Sequence, residues 1–450
     1  MAYLAPRKKI MSETIIVGAG WAGLACAYEL VKARHKVTII EAAPQIGGRA
    51  RSMQFQDQIL DNGQHIAIGA YVTLRGLLQE LKLSEQLLFK ILPLELIILG
   101  DTTENFKFAS LPAPWNFIVG LLFKSKMPWQ SKQQICKFVF KIKQCDFKLP
   151  KDCSILECLQ NYHQSAHVIE HFWAPMALAI MSTAINKASA QVFLNVLQHI
   201  FTTADDAGNW YLPTVDLSSV LPTQLATYLE NNGAKIIYKH NIKQLILYND
   251  SCTAISSSSQ SWQADKIVLA IPPWQAKHLL QPHAKLQASY DALNNFGFEA
   301  ITTLYFIFAK PIHLPYPMLG LVNTTSQWIF DRAFVAQPNI LSVIISGPSA
   351  LKFTSQLQLR DHVLQEISRH FPQLATPVSC KIVSEKRAAF SCDVATQKYR
   401  PQPATAINNL WLTGDYLQTG LPATLEGALM SGKKTASAML SISPRSNQNC

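Results

Sequence analysis

Three glycines near the N-terminus have the spacing of a phosphate-binding turn. Gly18, Gly20 and Gly23 form a GxGxxG pattern directly after the β-branched run Thr14 to Val17. In such a turn the first glycine allows a sharp bend, the second lets the backbone approach a pyrophosphate, and the third lets helix and strand pack closely. Glu41, which lies 18 residues after Gly23 at the end of a second apolar run, can accept hydrogen bonds from an adenosine ribose. We therefore predict a dinucleotide site, with a merely structural glycine turn as the alternative. The neighbouring residues expected at this site are Ala19, Trp21, Ala22 and Ala42.

A second glycine-rich element follows Glu41 within a few residues. Gly47, Gly48 and Arg49, in "GGRARS", place two permissive backbone positions beside a fixed positive charge. The backbone N–H groups of such a nest and a guanidinium together bind phosphate oxygens. A site for NAD does not need this element, so the two motifs together favour FAD.

The C-terminal stretch "TGDYLQTGLPATLEGALMSG" (413–432) follows the apolar run "NNLWL". It predicts a buried strand, an acidic turn at Gly414 and Asp415, and a helix that begins at Pro422 and continues through Ala423 and Thr424. The N–H groups of a helix start can bind an anionic part of a ligand. An ordinary helix start, with Asp415 only capping a turn, is the alternative.

These elements resemble those of the superfamily of FAD-dependent amine oxidases and carotenoid desaturases. The resemblance implies an α/β fold, in which a Rossmann-like FAD-binding domain of the GR2 type is combined with a discontinuous α+β substrate domain. It implies that Asp415 binds the ribityl or pyrophosphate region of FAD, and that N–H groups around Thr424 and Leu425 face the pyrimidine carbonyl of the flavin. Ile242 is expected to contact the adenine through its backbone, and Ala270 to end a strand beside the cofactor.

The domains expected from this resemblance are discontinuous in sequence. The FAD-binding domain is expected to comprise residues 13–74, 211–280 and 396–440, and the substrate domain residues 75–210 and 281–395. In the middle segment we predict strands at Lys235 to Tyr238 and at Ile242 to Leu247, and a third ending at Ala270. All three are expected to extend the dinucleotide sheet.

Several stretches together resemble one narrower family, the bacterial hydroxysqualene dehydroxylases. They are "DNGQHIAIGAY" (61–71), "FWAPMALAIMSTAINKASAQVFLNVL" (172–197), "LPTVDLSSVLP" (212–222), "EKRAAF" (385–390) and "GDYLQTGLPATLEGALMSG" (414–432). The resemblance runs from about residue 13 to residue 440. It implies a reaction in which the C30 allylic alcohol hydroxysqualene loses its hydroxyl group and becomes squalene, a hopanoid precursor. Such a reaction needs an acid for the departing hydroxyl, an apolar tunnel, hydride from reduced flavin and an electron donor whose kind the residues do not specify.

Two residues of the "DNGQH" motif are the candidates for catalysis. By the same resemblance, the strand that leads to this motif ends close to the flavin, which places Gly63, Gln64 and His65 at the cofactor. His65 is a candidate proton donor, and a neutral histidine that holds a turn through hydrogen bonds is the alternative.

Other functions remain open at this level. An isoprenoid desaturase or an amine oxidase would use the same cofactor frame with oxidised flavin. An isoprenyl escort protein without a cofactor could keep the fold, but it would have no need of all the glycine and acidic motifs.

Charge is concentrated in one segment of the 450-residue chain. Residues 107–151 contain nine lysines and one acid, so they carry +8 of the net +11. Nucleic-acid binding would leave the interleaved apolar run "FIVGLLF" (117–123) unexplained, and a solvated lysine-rich face is the default interpretation. We instead predict peripheral contact with an anionic membrane surface, because apolar side chains enter the interface while lysines meet the headgroups.

The cysteines and the apolar runs indicate the compartment. Nine cysteines are scattered without CxxC spacing, which favours reduced thiols in the cytoplasm and gives no indication of a metal site. No uninterrupted apolar run is long enough to span a bilayer. The expected localisation is therefore cytoplasmic, on the inner face of the cell membrane.

Overall fold

The computed structural model describes residues 13–441 apart from 101–102, 108, 110 and 112–114, so parts of the predicted basic segment 107–151 lie outside the described residues. The strands are β1 Glu13–Val17, β2 Lys36–Ile40, β3 Ser52–Phe55, β4 Gln58–Asp61, β5 Ala67–Ile68, β6 Phe89–Leu92, β7 Glu95–Leu99, β8 Glu104–Lys107, β9 Trp210–Pro213, β10 Lys235–Ile237, β11 Gln244–Tyr248, β12 Ser251–Ser256, β13 Ser261–Gln263, β14 Lys266–Leu269, β15 Phe298–Ile307, β16 Met318–Leu321, β17 Trp328–Asp331, β18 Ile340–Ser346, β19 Ser379–Phe390 and β20 Leu410–Leu412. The helices are α1 Trp21–Lys32, α2 Val72–Glu80, α3 Glu85–Leu88, α4 Trp115–Lys124, α5 Trp129–Gln144, α6 Ile155–Asn161, α7 Ala166–Val168, α8 Ala174–Met181, α9 Ala190–Thr202, α10 Leu217–Val220, α11 Pro222–Asn231, α12 Pro273–Leu280, α13 Gln287–Asn294, α14 Gln356–His370 and α15 Leu425–Ser441.

A five-stranded parallel sheet joins the two ends of the chain. Its strand order is β10-β2-β1-β14-β20, so pieces from the N-terminal, middle and C-terminal segments lie side by side. Strands β1, β2, β14 and β20 are short apolar runs, rich in β-branched residues apart from β20, and their residues are nearly all buried, as expected for a parallel sheet with helices on both faces. The edge strand β10 is more exposed. The predicted α/β fold with a Rossmann-like sheet is confirmed.

A seven-stranded sheet, of order β19-β15-β18-β17-β16-β7-β8, forms the second layer. Its pairs are antiparallel except for β16 with β7. Side chains alternate between its faces, because successive residues of a strand point to opposite sides. Leu304 and Phe306 pack with α14 on one face, whereas Trp328 and Phe330 belong to the large core shared with helices α4 to α9 on the other.

Two predictions about local structure are wrong. The strand expected at Ile242 to Leu247 does not join the dinucleotide sheet: β11 pairs antiparallel with β12, and β12 with β13, in a separate three-stranded sheet. Short hairpin loops connect these strands, and such loops permit only antiparallel pairing of neighbours. The C-terminal helix begins at Leu425 rather than Pro422, because Thr424 Oγ1 accepts a hydrogen bond from Gly427 N at 3.0 Å and so caps the helix.

Helices α1 and α15 cross in close contact on one face of the parallel sheet. A Cβ placed on Gly432 of α15 would lie 2.4 Å from the backbone oxygen of Ala22 and 2.9 Å from the nitrogen of Cys26, both on α1. Only glycine allows this approach, because the obstructing atoms belong to backbone. The helix that follows the glycine turn is therefore held against the C-terminal helix.

Replacing Gly432 by Ala should separate these helices. We expect Gly432→Ala to lower the thermal unfolding midpoint by about 2–10 °C, since overpacking against backbone costs on the order of 1–3 kcal/mol. The matched control is Gly76→Ala in α2, where an added Cβ meets nothing within 4 Å. That change should leave the midpoint unchanged or raise it, and an equal fall in both variants would contradict the packing argument.

Candidate functional site

The glycine turn is shaped by close backbone packing between β1, α1 and β14. Gly18 has φ of 107°, and a Cβ there would lie 2.6 Å from the backbone oxygen of Ala270. A Cβ on Gly23 would lie 2.1 Å from the oxygen of Gly18. Gly20 precedes the first residue of α1, and an added Cβ there would meet only Gly48, at 3.8 Å. Gly18 and Gly23 thus permit packing, whereas Gly20 leaves room for a ligand at the helix start.

The acidic residue after β2 is tied to the same turn. Glu41 accepts hydrogen bonds from Ala19 N at 2.7 Å and from Ala43 N at 2.8 Å. The second glycine element lies beside it, because Gly47 N donates to Ala19 O at 2.9 Å. Gly47 and Gly48 both have positive φ, of 101° and 62°, which glycine adopts readily. Two glycine turns therefore face one space.

Arg49 connects this N-terminal element to the C-terminal one. Its Nη2 donates to Asp415 Oδ1 at 2.6 Å, and its Nη1 donates to Ala388 O at 2.8 Å. Asp415 is buried and Arg49 is about a quarter exposed. A charge-assisted hydrogen bond between residues 366 positions apart in the chain joins the two halves of the site.

A buried arginine that the sequence analysis did not identify shapes the C-terminal loop. Arg400, 6% exposed, donates to the backbone oxygens of Asp415 (3.0 Å), Leu417 (2.5 Å) and Leu421 (2.7 Å), as well as to Thr419 Oγ1 (2.9 Å). These contacts satisfy carbonyl groups that would otherwise be unpaired in a buried loop. They position Asp415 and the start of α15.

These elements surround a cleft of about 630 Å³. The predicted site residues that line it are Gly18, Gly20, Trp21, Ala22, Glu41, Ala42, Gly47, Gly48, Arg49, His65, Ile242, Ala270, Gly414, Asp415, Ala423 and Thr424. Ala19 and Gly23 lie behind the turn rather than on the cleft wall, while Gly63, Gln64 and Pro422 line a second cavity. The structure thus brings most of the predicted cofactor residues together.

Polar groups of the cleft fit a large, partly anionic cofactor. Tyr416 lines the cleft, and its buried hydroxyl has no hydrogen-bond partner among the described residues. Burial raises the pKa of Tyr416, so the hydroxyl stays protonated and can donate. An unpaired buried hydroxyl costs free energy until a ligand meets it. Together with the two glycine turns and Arg49, it suits the phosphates, ribityl chain and ring edges of FAD.

The second cavity, of about 250 Å³, adjoins the cleft. The residues shared by the two walls are Arg49, Asn62, His65, Glu385, Ala388, Ala423, Thr424 and Leu425. The rest of its wall is mainly apolar, with Leu96, Met176, Trp210, Trp328 and Phe330 among its members. An apolar molecule in this cavity would lie against the part of the cleft nearest the start of α15.

His65 lies on the shared wall with its ring tied to the backbone. Its Nδ1 is 3.0 Å from Gly63 O, so Nδ1 carries the hydrogen and Nε2 is left as an acceptor. Burial lowers the pKa of His65, and the neutral ring is therefore favoured at neutral pH. This arrangement supports the interpretation of a histidine that holds a turn rather than one that donates a proton.

Gln64 belongs to a buried polar network that the sequence analysis did not foresee. Its Oε1 accepts from Arg332 Nη1 at 2.6 Å, and Arg332 Nη2 lies 3.6 Å from Asp61 Oδ2. Tyr305 Oη donates to the backbone oxygen of Asp61 at 2.9 Å. Burial outweighs the attraction of Arg332 and raises the pKa of Asp61 to about 6. The network holds the end of β4 and thereby positions Gly63, Gln64 and His65.

Glu426, in the first turn of α15, has a structural role. Its carboxylate accepts hydrogen bonds from Thr73 N at 2.7 Å and Leu74 N at 3.1 Å, the unpaired N–H groups at the start of α2. Both oxygens are occupied, although the side chain reaches the wall of the second cavity. The carboxyl group on the shared wall of both cavities is instead that of Glu385, which the sequence analysis did not select.

A scan of family models matches residues 21–440 to the flavin containing amine oxidoreductases. The chain belongs to this family. Family membership and the cleft agree: the protein is an FAD-dependent oxidoreductase.

Comparisons with individual proteins refine this result. The chain is 25% identical to the hydroxysqualene dehydroxylase of Zymomonas mobilis, over 96% of this chain and all of the relative, and 28% identical to that of Rhodopseudomonas palustris, over 96% and 99%. It is 24% identical to the 15-cis-phytoene desaturase of Synechococcus elongatus, over 94% and 95%. A solved oxidoreductase from Methanosarcina mazei shares the fold, with a TM-score of 0.75 at 16% identity over 95% of this chain and 100% of that one.

Removal of the charge at Arg49 should weaken cofactor binding. We expect Arg49→Gln to raise the Kd for FAD about 10-fold to 100-fold, because it removes charge-assisted hydrogen bonds at the junction of the two chain ends. Fluorescence titration of apoprotein with FAD measures this. Arg369→Gln, at the C-terminal end of α14, removes the same charge away from the cleft and should leave the Kd unchanged. Equal affinity in wild type and both variants would contradict the assignment.

Proposed function

We propose that the protein removes the hydroxyl group of hydroxysqualene reductively and forms squalene. The observation that carries the proposal is the apolar second cavity, which shares a wall with the cofactor cleft at Arg49, His65 and the start of α15. Part of a long hydrocarbon chain can lie in such a cavity with one carbon close to the cofactor. The hydroxysqualene dehydroxylases among the relatives add support, since they align with nearly the whole chain.

When bound and reduced, FAD supplies the hydride that such a reaction needs. The residues around it supply binding and electrostatics. The N–H groups at the start of α15 lie between the two cavities, where the positive end of the helix dipole stabilises negative charge. Trp210, Trp328 and Phe330 present aromatic rings in the substrate cavity, and aromatic faces stabilise an allylic cation.

Glu385 is our proposed proton donor for the departing hydroxyl. Glu385 lines both cavities, and among the described residues only its Oε1 is engaged, accepting a hydrogen bond from Arg387 N at 3.2 Å. Both oxygens of Glu426 are engaged at the start of α2, and burial lowers the pKa of His65, which favours its neutral form. The C–O bond breaks, the oxygen takes a proton from the carboxyl group and leaves as water, and the carbon receives the hydride. The carboxylate then regains a proton from solvent through the cleft.

Desaturation of an isoprenoid is the second candidate reaction. The phytoene desaturase relative favours it, because that protein also aligns with nearly the whole chain. Both reactions would place a hydrocarbon in the same cavity, and they differ in the direction of hydride transfer. Reduced enzyme acts in the first and oxidised enzyme in the second.

An anaerobic assay separates the two reactions. Enzyme reduced with dithionite in D₂O should convert hydroxysqualene to squalene with one deuterium at the former carbinol carbon, because the N5 hydrogen of reduced flavin exchanges with solvent. Mass spectrometry of the product measures the label. Glu385→Gln should lower the rate about 100-fold or more. Unlabelled squalene would contradict the hydride assignment, and conversion of phytoene by oxidised enzyme without any action on the alcohol would favour desaturation.

We also propose that helices α4 and α5 bind the surface of an anionic membrane. Within the part of the chain that the structure describes, the exposed tryptophans and phenylalanines are Trp115, Phe123, Trp129 and Phe140, and all four lie on these two helices. Their exposed fractions are 60%, 79%, 61% and 62%. Lys137, Lys141 and Lys143 are exposed on α5. Apolar aromatic and cationic side chains together suit the interface of an anionic bilayer.

The same region adjoins the proposed substrate cavity. Met127, between α4 and α5, lines a small crevice with Leu96 and Met176, and the latter two also line the second cavity. No helix among the described residues is long and apolar enough to cross a bilayer. We therefore propose peripheral binding at the inner face of the cell membrane, which would present a nearly insoluble C30 substrate close to the cavity.

Not every lysine of this segment is available for lipid. Lys132 is buried, and its Nζ donates to the backbone oxygens of Leu122 at 2.9 Å and Ser125 at 2.8 Å. Lys107 is paired with Glu95, and Lys148 with Asp146. The exposed lysines of α5 are Lys137, Lys141 and Lys143, and Lys126 and Lys151 are exposed on either side of this helix.

Vesicle co-sedimentation tests the membrane proposal. Replacing Lys137, Lys141 and Lys143 by Gln should weaken binding to phosphatidylserine-containing vesicles about 10-fold to 100-fold, since each lysine near an anionic surface contributes roughly 1 kcal/mol. Binding of the wild type should weaken with added salt. The matched control replaces the exposed residues Lys310, Lys352 and Lys398 by Gln and should bind like the wild type. Equal binding of all three proteins to neutral and anionic vesicles would contradict the proposal that the lysines of α5 bind anionic headgroups.

A further inference from the structure

One face of the seven-stranded sheet forms the floor of the second cavity. Ile301 and Thr303 on β15, Ile344 on β18 and Val383 on β19 all line it, and their positions follow the strand register. Thr303 lies opposite Ile344 on one side and Val383 on the other. The floor around Thr303 is therefore made of β-branched hydrocarbon side chains.

The hydroxyl of Thr303 is an exception on this floor. Thr303 is 1% exposed, and among the described residues its Oγ1 has no hydrogen-bond partner. The adjacent Thr302 points to the other face of the sheet, where its Oγ1 lies 2.9 Å from Ser384 Oγ. A buried hydroxyl without a partner destabilises the protein, so its presence in an apolar cavity calls for a ligand that provides one.

The position of Thr303 is close to the proposed reaction centre. Its Oγ1 lies 3.7 Å from the point that a Cβ of Gly63 would occupy, and His65 Cε1 lies 3.8 Å from the same point. Glu385 is two residues beyond Val383 on the same strand face, opposite Ile301. Thr303 thus lies at the end of the cavity that adjoins the cofactor cleft, with its Oγ1 near Gly63.

We propose that Thr303 binds the hydroxyl oxygen of an allylic alcohol substrate and thereby positions its carbinol carbon next to the cofactor. This inference rests on the proposed dehydroxylase function and deepens it. A hydrocarbon such as phytoene has no oxygen and would leave Thr303 unpaired. Thr303 accordingly makes the cavity select an alcohol over a hydrocarbon of the same skeleton, since sites built to pair with a hydroxyl discriminate strongly against analogues that lack it.

The test measures binding separately from turnover. Hydroxysqualene and squalene are titrated into oxidised, FAD-loaded protein, and the perturbation of flavin absorbance gives a Kd for each. The wild type should bind the alcohol about 10-fold to 100-fold more tightly than the hydrocarbon. Thr303→Val should abolish this preference by weakening alcohol binding while leaving the Kd for squalene and for FAD unchanged.

Two further variants keep the result interpretable. Thr303→Ser retains a hydroxyl and should retain the preference. Thr302→Val removes a buried hydroxyl from the opposite face of the same strand and should also retain it. Thr303→Val should have a thermal unfolding midpoint at or above that of the wild type, because it replaces an unpaired hydroxyl with a methyl group of similar size.

The outcomes separate this inference from the proposed function. If Thr303→Val keeps the preference for alcohol, the inference is overturned, while conversion of hydroxysqualene by the wild type would leave the proposed function intact. If the wild type prefers the alcohol through Thr303 but does not convert it to squalene, the subsite is supported and the proposed reaction fails. A wild type without any preference overturns the inference.

Discussion

The ion pair between Arg49 and Asp415 joins the two ends of the chain at the cofactor cleft. It requires that α1 and α15 pack closely enough to bring the second glycine element next to the C-terminal loop, which Gly432 permits. Arg400 fixes the same loop from behind through several carbonyl groups. The parallel sheet also contains strands from both ends and the middle of the chain. The cleft therefore forms only when all three of these segments are folded together.

The space beside the ion pair of Arg49 and Asp415 has two parts that differ in polarity. The larger cleft is lined by glycine turns and charged groups, whereas the smaller cavity is mainly apolar, and the start of α15 contributes to both walls. A cofactor with anionic phosphates and a redox-active ring suits the first part, and a hydrocarbon suits the second. The few polar groups in the apolar part, notably Thr303 and Glu385, are therefore where selectivity and proton transfer would arise.

Local patterns in the sequence were enough to predict the glycine turn, Glu41 and the parallel sheet, because short-range spacing and β-branched runs determine them. The same reasoning failed at Pro422 and in the strand near Ile242. There, a side-chain cap and hairpin pairing decide the structure. Contacts between distant residues left no local signal. Nothing in the residues next to Arg332 distinguishes it from an arginine on the surface. It is nevertheless only 1% exposed and contacts Gln64 and Asp61. Thr303 is one of two adjacent threonines, and only the strand register distinguishes its face.

Hydrogen–deuterium exchange of the apoprotein and the FAD-loaded protein tests most directly whether both chain ends form one cofactor site. We predict that FAD slows amide exchange in residues 18–24, 47–49 and 423–428 together, with little change in α14, which packs on the far face of the seven-stranded sheet. Protection confined to the N-terminal glycine turns, with unchanged exchange at the start of α15, would contradict the account.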